Sequence, residues 1–315
     1  MRVAILDDYF NLALQLADWS PLRGRADIRV FTRPLGGEEE AARELAGFEI
    51  IVGMRERTPF PATLIGRLPK LRLLITTGMR NLSFDLEAAR SRGVTVCGTG
   101  NWGSPTSELA VGLMIALMRD IPGQFASMRQ GGWQTRPGHD LAGKTLGLLG
   151  LGKVGSGVAA AGNAFNMKVI AWSQNLTGER AAECRARRVE KDDLFRQADV
   201  LSIHLILSER TRGLVGAREL GLMKPTAYLI NTSRGPIVDE EALLKTLREK
   251  RIRGAAIDVY GVEPLPADHP LRKLDNVLLT PHLGYVSTEN FAKMYADAVE
   301  DIVAFLDGKP VRVLN

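Results

Sequence analysis

Thr145-Leu-Gly-Leu-Leu-Gly-Leu-Gly-Lys-Val-Gly155 is the stretch whose reading decides the fold. Leu146 to Leu149 is a short apolar run suited to a strand buried on both faces, and Val154 to Phe165 is small and apolar, as a packed helix requires. Between them Gly150, Gly152 and Gly155 carry the GxGxxG spacing. The first glycine permits a tight turn, the second lets backbone approach a pyrophosphate, and the third lets helix pack close on strand. The helix N-terminus then offers free N–H groups and a partial positive charge to phosphate. Alone the motif is weak in a chain with 32 glycines. Met167 to Trp172, reading as the next strand, completes a βαβ unit and strengthens it. The alternative is a glycine-bearing turn that binds nothing.

Outward from this unit the chain repeats the same alternation. Apolar runs at Val3 to Leu6, Ile28 to Phe31, Phe48 to Val52, Leu71 to Thr76 and Val94 to Cys97 are separated by helical stretches such as Glu38 to Ala46. Further strands are expected at Val200 to Leu205, Tyr228 to Thr232, Ala255 to Val259 and Val277 to Thr280. Strands alternating with helices make an α/β protein with parallel sheets. Leu109 to Met118 reads as a helix joining two domains, opened by Ser104, Pro105, Thr106 and Ser107. Arg119 to Asp140 loses the alternation and reads as a surface arm suited to covering a partner subunit, or as an ordinary long loop. Thr288 to Phe305 is a long amphipathic helix that ends at Asp307-Gly-Lys-Pro and is expected to cross back onto the N-terminal domain.

The 315 residues suffice for two domains, and 45% hydrophobic with 24% charged residues is a globular composition. The formal charge of +5 comes from largely scattered cations, with Arg185, Arg187 and Arg188 a dense cluster. That favours small anions over nucleic acid. No run has transmembrane length and the chain opens directly as a strand, so a soluble cytoplasmic protein without membrane contact is expected. Cys97 and Cys184 lie in dissimilar settings, and no His, Cys, Asp or Glu cluster has metal-ligand spacing, so neither disulfides nor a metal is expected.

Ligands of open α/β sheets lie beyond the carboxyl ends of the strands. Three such ends carry charge: Arg234 after Tyr228-Leu-Ile-Asn-Thr-Ser, Asp258 and Glu263 after Ala255-Ala-Ile, and His282 after Leu278-Leu-Thr-Pro. Cation, carboxylate and imidazole together suit reversible hydride transfer to a carbonyl. His282 would exchange a proton with the oxygen, Glu263 on its other nitrogen would favour the protonated ring, and Arg234 would hold a substrate carboxylate. Taken singly, each has a plainer reading, since strand-end arginines form surface ion pairs and a Glu-Pro loop is usually solvated. The conjunction favours catalysis. His204, within an apolar run, reads as a satisfied core residue or a lining of the cofactor site, and His139 and His269 read as solvent-facing.

Four ordered segments, Gly150-Leu-Gly-Lys-Val-Gly155, Asn231-Thr-Ser-Arg-Gly-Pro236, Asp258-Val-Tyr-Gly-Val-Glu-Pro264 and Pro281-His-Leu-Gly284, resemble the signatures of the D-isomer-specific 2-hydroxyacid dehydrogenases. The resemblance spans nearly the whole chain, since Thr76-Thr-Gly-Met and Ser107-Glu108 also fit. It implies two Rossmann-like or flavodoxin-like domains with parallel sheets, a cofactor domain (101–284) inserted into a discontinuous substrate domain (1–100 and 285–315), a cleft between them, and a homodimer. It implies that Arg234, Glu263 and His282 form the catalytic set. It implies that Gly150, Gly152, Lys153, Val154, Gly155, Thr232, Ser233 and Asp258 meet the cofactor, and that backbone near Gly78 and Met79 receives a substrate carboxylate.

Two departures from the family pattern matter. NAD-preferring members end the strand after the glycine helix with an acidic residue, whereas this one ends Ala171-Trp-Ser-Gln-Asn175, with no Asp or Glu between Gly155 and Glu179. Ser173 removes a charge that would repel a ribose 2′-phosphate, which admits NADP beside NAD and slightly favours it, although the arginine often found next is absent. A relaxed choice between the two is the alternative. Second, Arg80 stands where many relatives carry glycine, and with Arg55 and Arg57 it makes a cationic loop suited to a second carboxylate or a phosphate on the substrate. Pairing with Glu56 and Asp85 is the alternative. The expected reaction is reduction of a 2-keto acid, glyoxylate or hydroxypyruvate being the most general case. A D-3-phosphoglycerate dehydrogenase, which often carries an extra C-terminal domain, and a non-catalytic NAD(H)-sensing corepressor-like protein are the alternatives. Formate dehydrogenases resemble the pattern but pair the histidine with glutamine, where Glu263 stands here.

Overall fold

In the computed structural model, which describes all 315 residues, the chain divides into two compact units, Met1–Gly103 with Ser287–Asn315, and Ser104–Val286. In the first, strands β1 (Arg2–Ile5), β2 (Asp27–Val30), β3 (Ile50–Gly53), β4 (Leu73–Thr76) and β5 (Thr95–Gly98) form a parallel sheet in the order β2-β1-β3-β4-β5. That is the flavodoxin-type order. Every residue of β3 and β4 is buried, so Ile50-Ile-Val and Leu73-Leu-Ile read as continuous apolar runs without the alternation of a one-sided sheet. Helices α1 (Ala13–Leu16), α2 (Glu38–Leu45), α3 (Ala62–Gly66) and α4 (Leu86–Ser91) fill the crossovers.

The second unit opens with α5 (Pro105–Met118) and α6 (Ile121–Arg129) and continues through β6 (Thr145–Leu149), α7 (Lys153–Ala164), β7 (Lys168–Trp172), α8 (Gly178–Glu183) and β8 (Arg187–Arg188). It then runs through α9 (Lys191–Gln197), β9 (Val200–Ile203), α10 (Ala217–Leu222), β10 (Tyr228–Asn231), α11 (Glu240–Arg248), β11 (Gly254–Ile257) and β12 (Val277–Leu279). The parallel sheet has the order β12-β11-β10-β9-β6-β7-β8. Counted from β6, this is the Rossmann order with a seventh strand at one edge, and the order reverses between β6 and β9.

Helix α12 (Thr288–Leu306) belongs to the first unit, where it packs on α1. Ser287 caps it by accepting the Asn290 N–H at 3.3 Å. Beyond it the chain end lies antiparallel along β5, with Leu314 N–H donating to Val96 O at 2.8 Å and Gly98 N–H to Arg312 O at 3.1 Å.

The expected strands are present. The segment after α5 departs from the reading of an irregular arm or loop, because its first half is helix α6. Asp120, in the left-handed region at φ 52°, ends α5, and Pro122 in the first turn starts a new helix. Ile121, Phe125 and Met128 do recur at the helical i, i+4, i+7 spacing, but Pro122 and Gly123 at the head of the segment read as loop punctuation and mask it. Ile121, Phe125, Met128 and Trp133 are exposed on this segment. No single helix is long and apolar enough to cross a membrane.

Candidate active site

The glycine turn lies at the carboxyl end of β6, where the strand order of the second unit reverses. Gly150 adopts φ +107°, and a Cβ there would press on the His204 carbonyl at 2.7 Å. A Cβ at Gly155 would overlap the Gly150 carbonyl, whereas one at Gly152 would project into open space. Two glycines are therefore required by the packing of α7 on the turn, and the third keeps the approach to the N-terminus of α7 clear. No side chain caps that terminus at Gly152, so its first amides point outward at a bare, exposed backbone. These features fit a dinucleotide pyrophosphate.

The catalytic candidates converge within the same unit. After β10, Asn231 organises the turn: its Oδ1 accepts the Ser233 N–H at 3.0 Å and its Nδ2 donates to Arg234 O at 3.1 Å. Ser233 Oγ donates to Leu205 O, and Thr232 is buried with no partner for its hydroxyl. A Cβ at Gly235 would overlap the Tyr260 backbone, so glycine there lets the Arg234 loop lie against the loop after β11. From that second loop Glu263 reaches His282, with Oε2 at 2.6 Å from Nδ1, while its Oε1 accepts the Tyr260 N–H at 2.9 Å. Burial pushes the Glu263 carboxyl up, but the bond from His282, the His282 charge, the Tyr260 N–H and the Arg234 charge outweigh it, and the pKa falls below the ordinary carboxylate value. An ionised Glu263 fixes Nδ1 as a donor and leaves Nε2 as the working nitrogen.

Asp258 builds the base of the histidine loop. Its side chain is fully buried, Oδ1 accepts from Thr280 Oγ1 at 2.5 Å and from Leu283 N–H at 2.7 Å, and Oδ2 accepts from Gly284 N–H at 2.9 Å. The His282 N–H donates to Asp258 O at 2.9 Å, His282 sits in the left-handed region at φ 54°, and Tyr285 packs edge-on against its ring at 5.4 Å. Burial raises the Asp258 pKa against these bonds. Asp258 is thus a carboxylate committed to positioning the loop that carries His282.

His204 is neither in a strand nor a satisfied core residue. It follows the last residue of β9, its N–H donates to Leu149 O at 2.8 Å, and both ring nitrogens are buried without a partner. Burial pulls its pKa down to about 4, so the ring is neutral beside the glycine turn. His269 is not solvent-facing either: its side chain is 13% exposed and Nε2 lies 3.2 Å from Glu240 Oε1. At the end of β7, Ser173 O accepts the Leu176 N–H at 3.1 Å, and Arg180 of α8 donates to Ser156 Oγ in the first turn of α7 at 3.1 Å. No sequence signal singled out Arg180 or Tyr285.

In the first unit, the candidate substrate residues gather beyond β3 and β4. Arg55, at φ 55°, bonds Thr77 through its N–H (2.9 Å to Oγ1), and its guanidinium lies 3.5 Å from Thr77 O. Arg57 donates to Asp7 O at 2.9 Å and stacks on Tyr9 at 4.3 Å. The Gly78 N–H is taken by Thr99 Oγ1 at 2.9 Å, and the next residues of the loop, Met79 and Arg80, are exposed. Asp85 caps α4 through the Ala88 N–H at 2.8 Å and pairs with none of the three arginines.

A dinucleotide-binding α/β protein with an imidazole–carboxylate pair in the same unit is the class these features define. Residues 111–284 match the model of the D-isomer specific 2-hydroxyacid dehydrogenase, NAD binding domain. The chain is 40% identical over 263 residues to a glyoxylate reductase of Aeropyrum pernix, covering 80% of this chain and 78% of that protein. It is 37% identical to a D-3-phosphoglycerate dehydrogenase of Archaeoglobus fulgidus over 87% of this chain, spanning 52% of that longer protein. Among solved structures, a phosphoglycerate oxidoreductase from Vibrio cholerae o395 superposes with a TM-score of 0.92 at 36% identity, covering 98% of this chain and 99% of the other. The chain belongs to the D-isomer specific 2-hydroxyacid dehydrogenases, nicotinamide-dependent oxidoreductases that act on the CH–OH group of their donors.

Proposed function

We propose that this chain reduces small 2-keto acids, glyoxylate or hydroxypyruvate foremost, to D-2-hydroxy acids with NADPH preferred over NADH, the inserted unit binding the dinucleotide and the discontinuous unit contributing to the substrate site. The observation that carries the reading is the His282–Glu263 pair at 2.6 Å with Arg234 acting on the same carboxylate. Gly150, Gly152, Lys153, Val154 and Gly155 would hold the pyrophosphate, Thr232 and Ser233 would lie along the cofactor, and Asp258 would support its nicotinamide side. When bound, the cofactor supplies the hydride. His282 donates the Nε2 proton to the carbonyl oxygen during reduction and recovers it in the reverse direction, while Glu263 holds the ring and its charge. Arg234 binds the substrate carboxylate through its fork of donors and polarises the carbonyl.

The amides of Met79 and Arg80, with Arg55, are assigned to the rest of the substrate. Arg55 and Arg80 favour a second anionic group, which supports a phosphorylated or dicarboxylic keto acid as the second reading. The exposed apolar side chains of Ile121, Phe125, Met128 and Trp133 support a homodimer through this segment, checked by the sedimentation of the wild type and Phe125→Glu. The reaction is tested by initial rates of NADPH and NADH oxidation with glyoxylate, hydroxypyruvate, phosphohydroxypyruvate and pyruvate. Rapid turnover of the first two supports the reading; turnover of the phosphorylated acid alone moves the assignment to the second. Tight dinucleotide binding without turnover on any of them rejects both.

A further inference from the structure

The cationic partner for a ribose 2′-phosphate is missing from the strand end where it ordinarily stands, yet the helix that follows this strand end carries a guanidinium bound to the first turn of α7. Between Gly155 and Arg180 the only cation is Lys168, at the opposite end of β7 from the glycine turn. Arg180 lies in the first turn of α8, whose cap Thr177 accepts the Arg180 N–H at 3.1 Å, and the turn preceding the cap is closed by the Leu176 N–H on Ser173 O. The chain from Ser173 to Arg180 is therefore a fixed turn and cap. From there Nη2 of Arg180 reaches Ser156 Oγ at 3.1 Å, and Ser156 Oγ itself lies 3.5 Å from the carbonyl of Leu151, the residue between the first two glycines of the motif. The guanidinium thus links the first turn of α8, seven residues beyond Ser173, to the first turn of α7 beside the glycine turn. In dinucleotide sites of this fold the adenine ribose occupies that interval, with its 2′-position toward the strand end.

We propose that Arg180 is the residue that selects NADP, receiving the ribose 2′-phosphate together with Ser173; the inference rests on the NADP reading above. A planar fork of donors suits a phosphate dianion. The present partner of Nη1, Glu183 at 2.6 Å, forms an (i, i+3) pair on the surface, with the two side chains 47% and 64% exposed. Such a pair is weak and exchanges readily for a doubly charged ligand. Arg188 holds the loop from the other side, its Nε donating to Leu176 O at 3.0 Å, and serves as the comparison.

Fluorescence titration with NADPH and NADH, and competition by 2′,5′-ADP and 5′-AMP, test this without turnover. The wild type is expected to bind 2′,5′-ADP about tenfold or more tighter than 5′-AMP. Arg180→Ala should weaken NADPH and 2′,5′-ADP by roughly 10- to 100-fold, leave NADH and 5′-AMP within about twofold, and be partly restored by Arg180→Lys. A wild type that binds 2′,5′-ADP no tighter than 5′-AMP sinks the NADP reading and the inference with it. If the wild type discriminates but Arg180→Ala discriminates equally well, the inference alone fails. Equal weakening of all four ligands, with an unchanged circular dichroism spectrum, overturns it in favour of a structural role for the Ser156 contact.

Discussion

At the scale of single residues, the proposed chemistry depends on one imidazole held by one charge. Glu263 is kept ionised below the ordinary carboxylate range, so no protonation of this group intrudes at neutral pH, and Nδ1 of His282 remains its donor. His282→Ala should lower turnover by roughly 10²–10⁴ while dinucleotide affinity stays nearly unchanged. A variant that keeps most of its activity would remove His282 from the proton-transfer role. Glu263→Gln keeps the shape and loses the charge, and is expected to cost about 10- to 100-fold in turnover, again with binding preserved. Both effects should be read by steady-state rates beside a fluorescence titration. The three partners were legible in the sequence because each follows a strand and each belongs to a chemically sensible set. The roles of Asp258 and Tyr285 in seating the histidine were not, since neither residue type nor spacing signals that a carboxylate will be folded inward beneath a loop.

Among the elements, the β6–turn–α7 unit carries the binding chemistry, and its glycines separate structure from function. Gly155 stands against the Gly150 carbonyl with no room for a methyl, whereas Gly152 faces open space. Gly155→Ala must push α7 away from β6 or strain the turn, and should destabilise the protein by about 1–3 kcal/mol, seen as a lowered midpoint of thermal unfolding. Gly152→Ala should leave that midpoint within a degree or two and weaken dinucleotide binding about tenfold or more, because the methyl enters the space a pyrophosphate needs. If Gly152→Ala binds normally, the turn is not the phosphate site. This unit was readable because a buried strand, three glycines and a small-residue helix each have their own sequence signal and all agree. Helix α6 was not, because Pro122 and Gly123 read as loop punctuation and mask the short recurrence of Ile121, Phe125 and Met128, whose side chains are all exposed.

For the molecule as a whole, the first unit is closed by residues from both ends of the chain, and an electrostatic clamp joins the backbone pairing and apolar packing that close it. Arg312 donates to Asp301 Oδ1 at 3.0 Å, to Glu300 at 2.8 Å and to Asp297 O at 2.8 Å, fastening the chain end that lies along β5 to α12. The return of α12 to this unit could be anticipated from an amphipathic helix left over after the second sheet, but the clamp could not, since Arg312 stands in a short stretch without a pattern. Asp301 is fully buried, its Oδ2 has no partner, and Asp297 and Glu300 stand nearby with Lys293 on Asp297 at 2.7 Å. Burial raises its pKa from 3.8 to about 7 against the pull of Arg312. A carboxyl raised in the folded state binds its proton more tightly there than in the unfolded chain, so its contribution is complete below about pH 4 and is lost as the pH rises through about 7. Wild-type unfolding temperature should therefore fall between pH 5 and 8. Asp301→Asn cannot ionise, and should flatten that decline and leave the variant more stable than the wild type at pH 8, by on the order of 2–4 kcal/mol. Calorimetry of both proteins across this range decides it: a variant less stable at pH 8, with the wild-type slope unchanged, would mean that the Arg312 ion pair outweighs the burial of the charge.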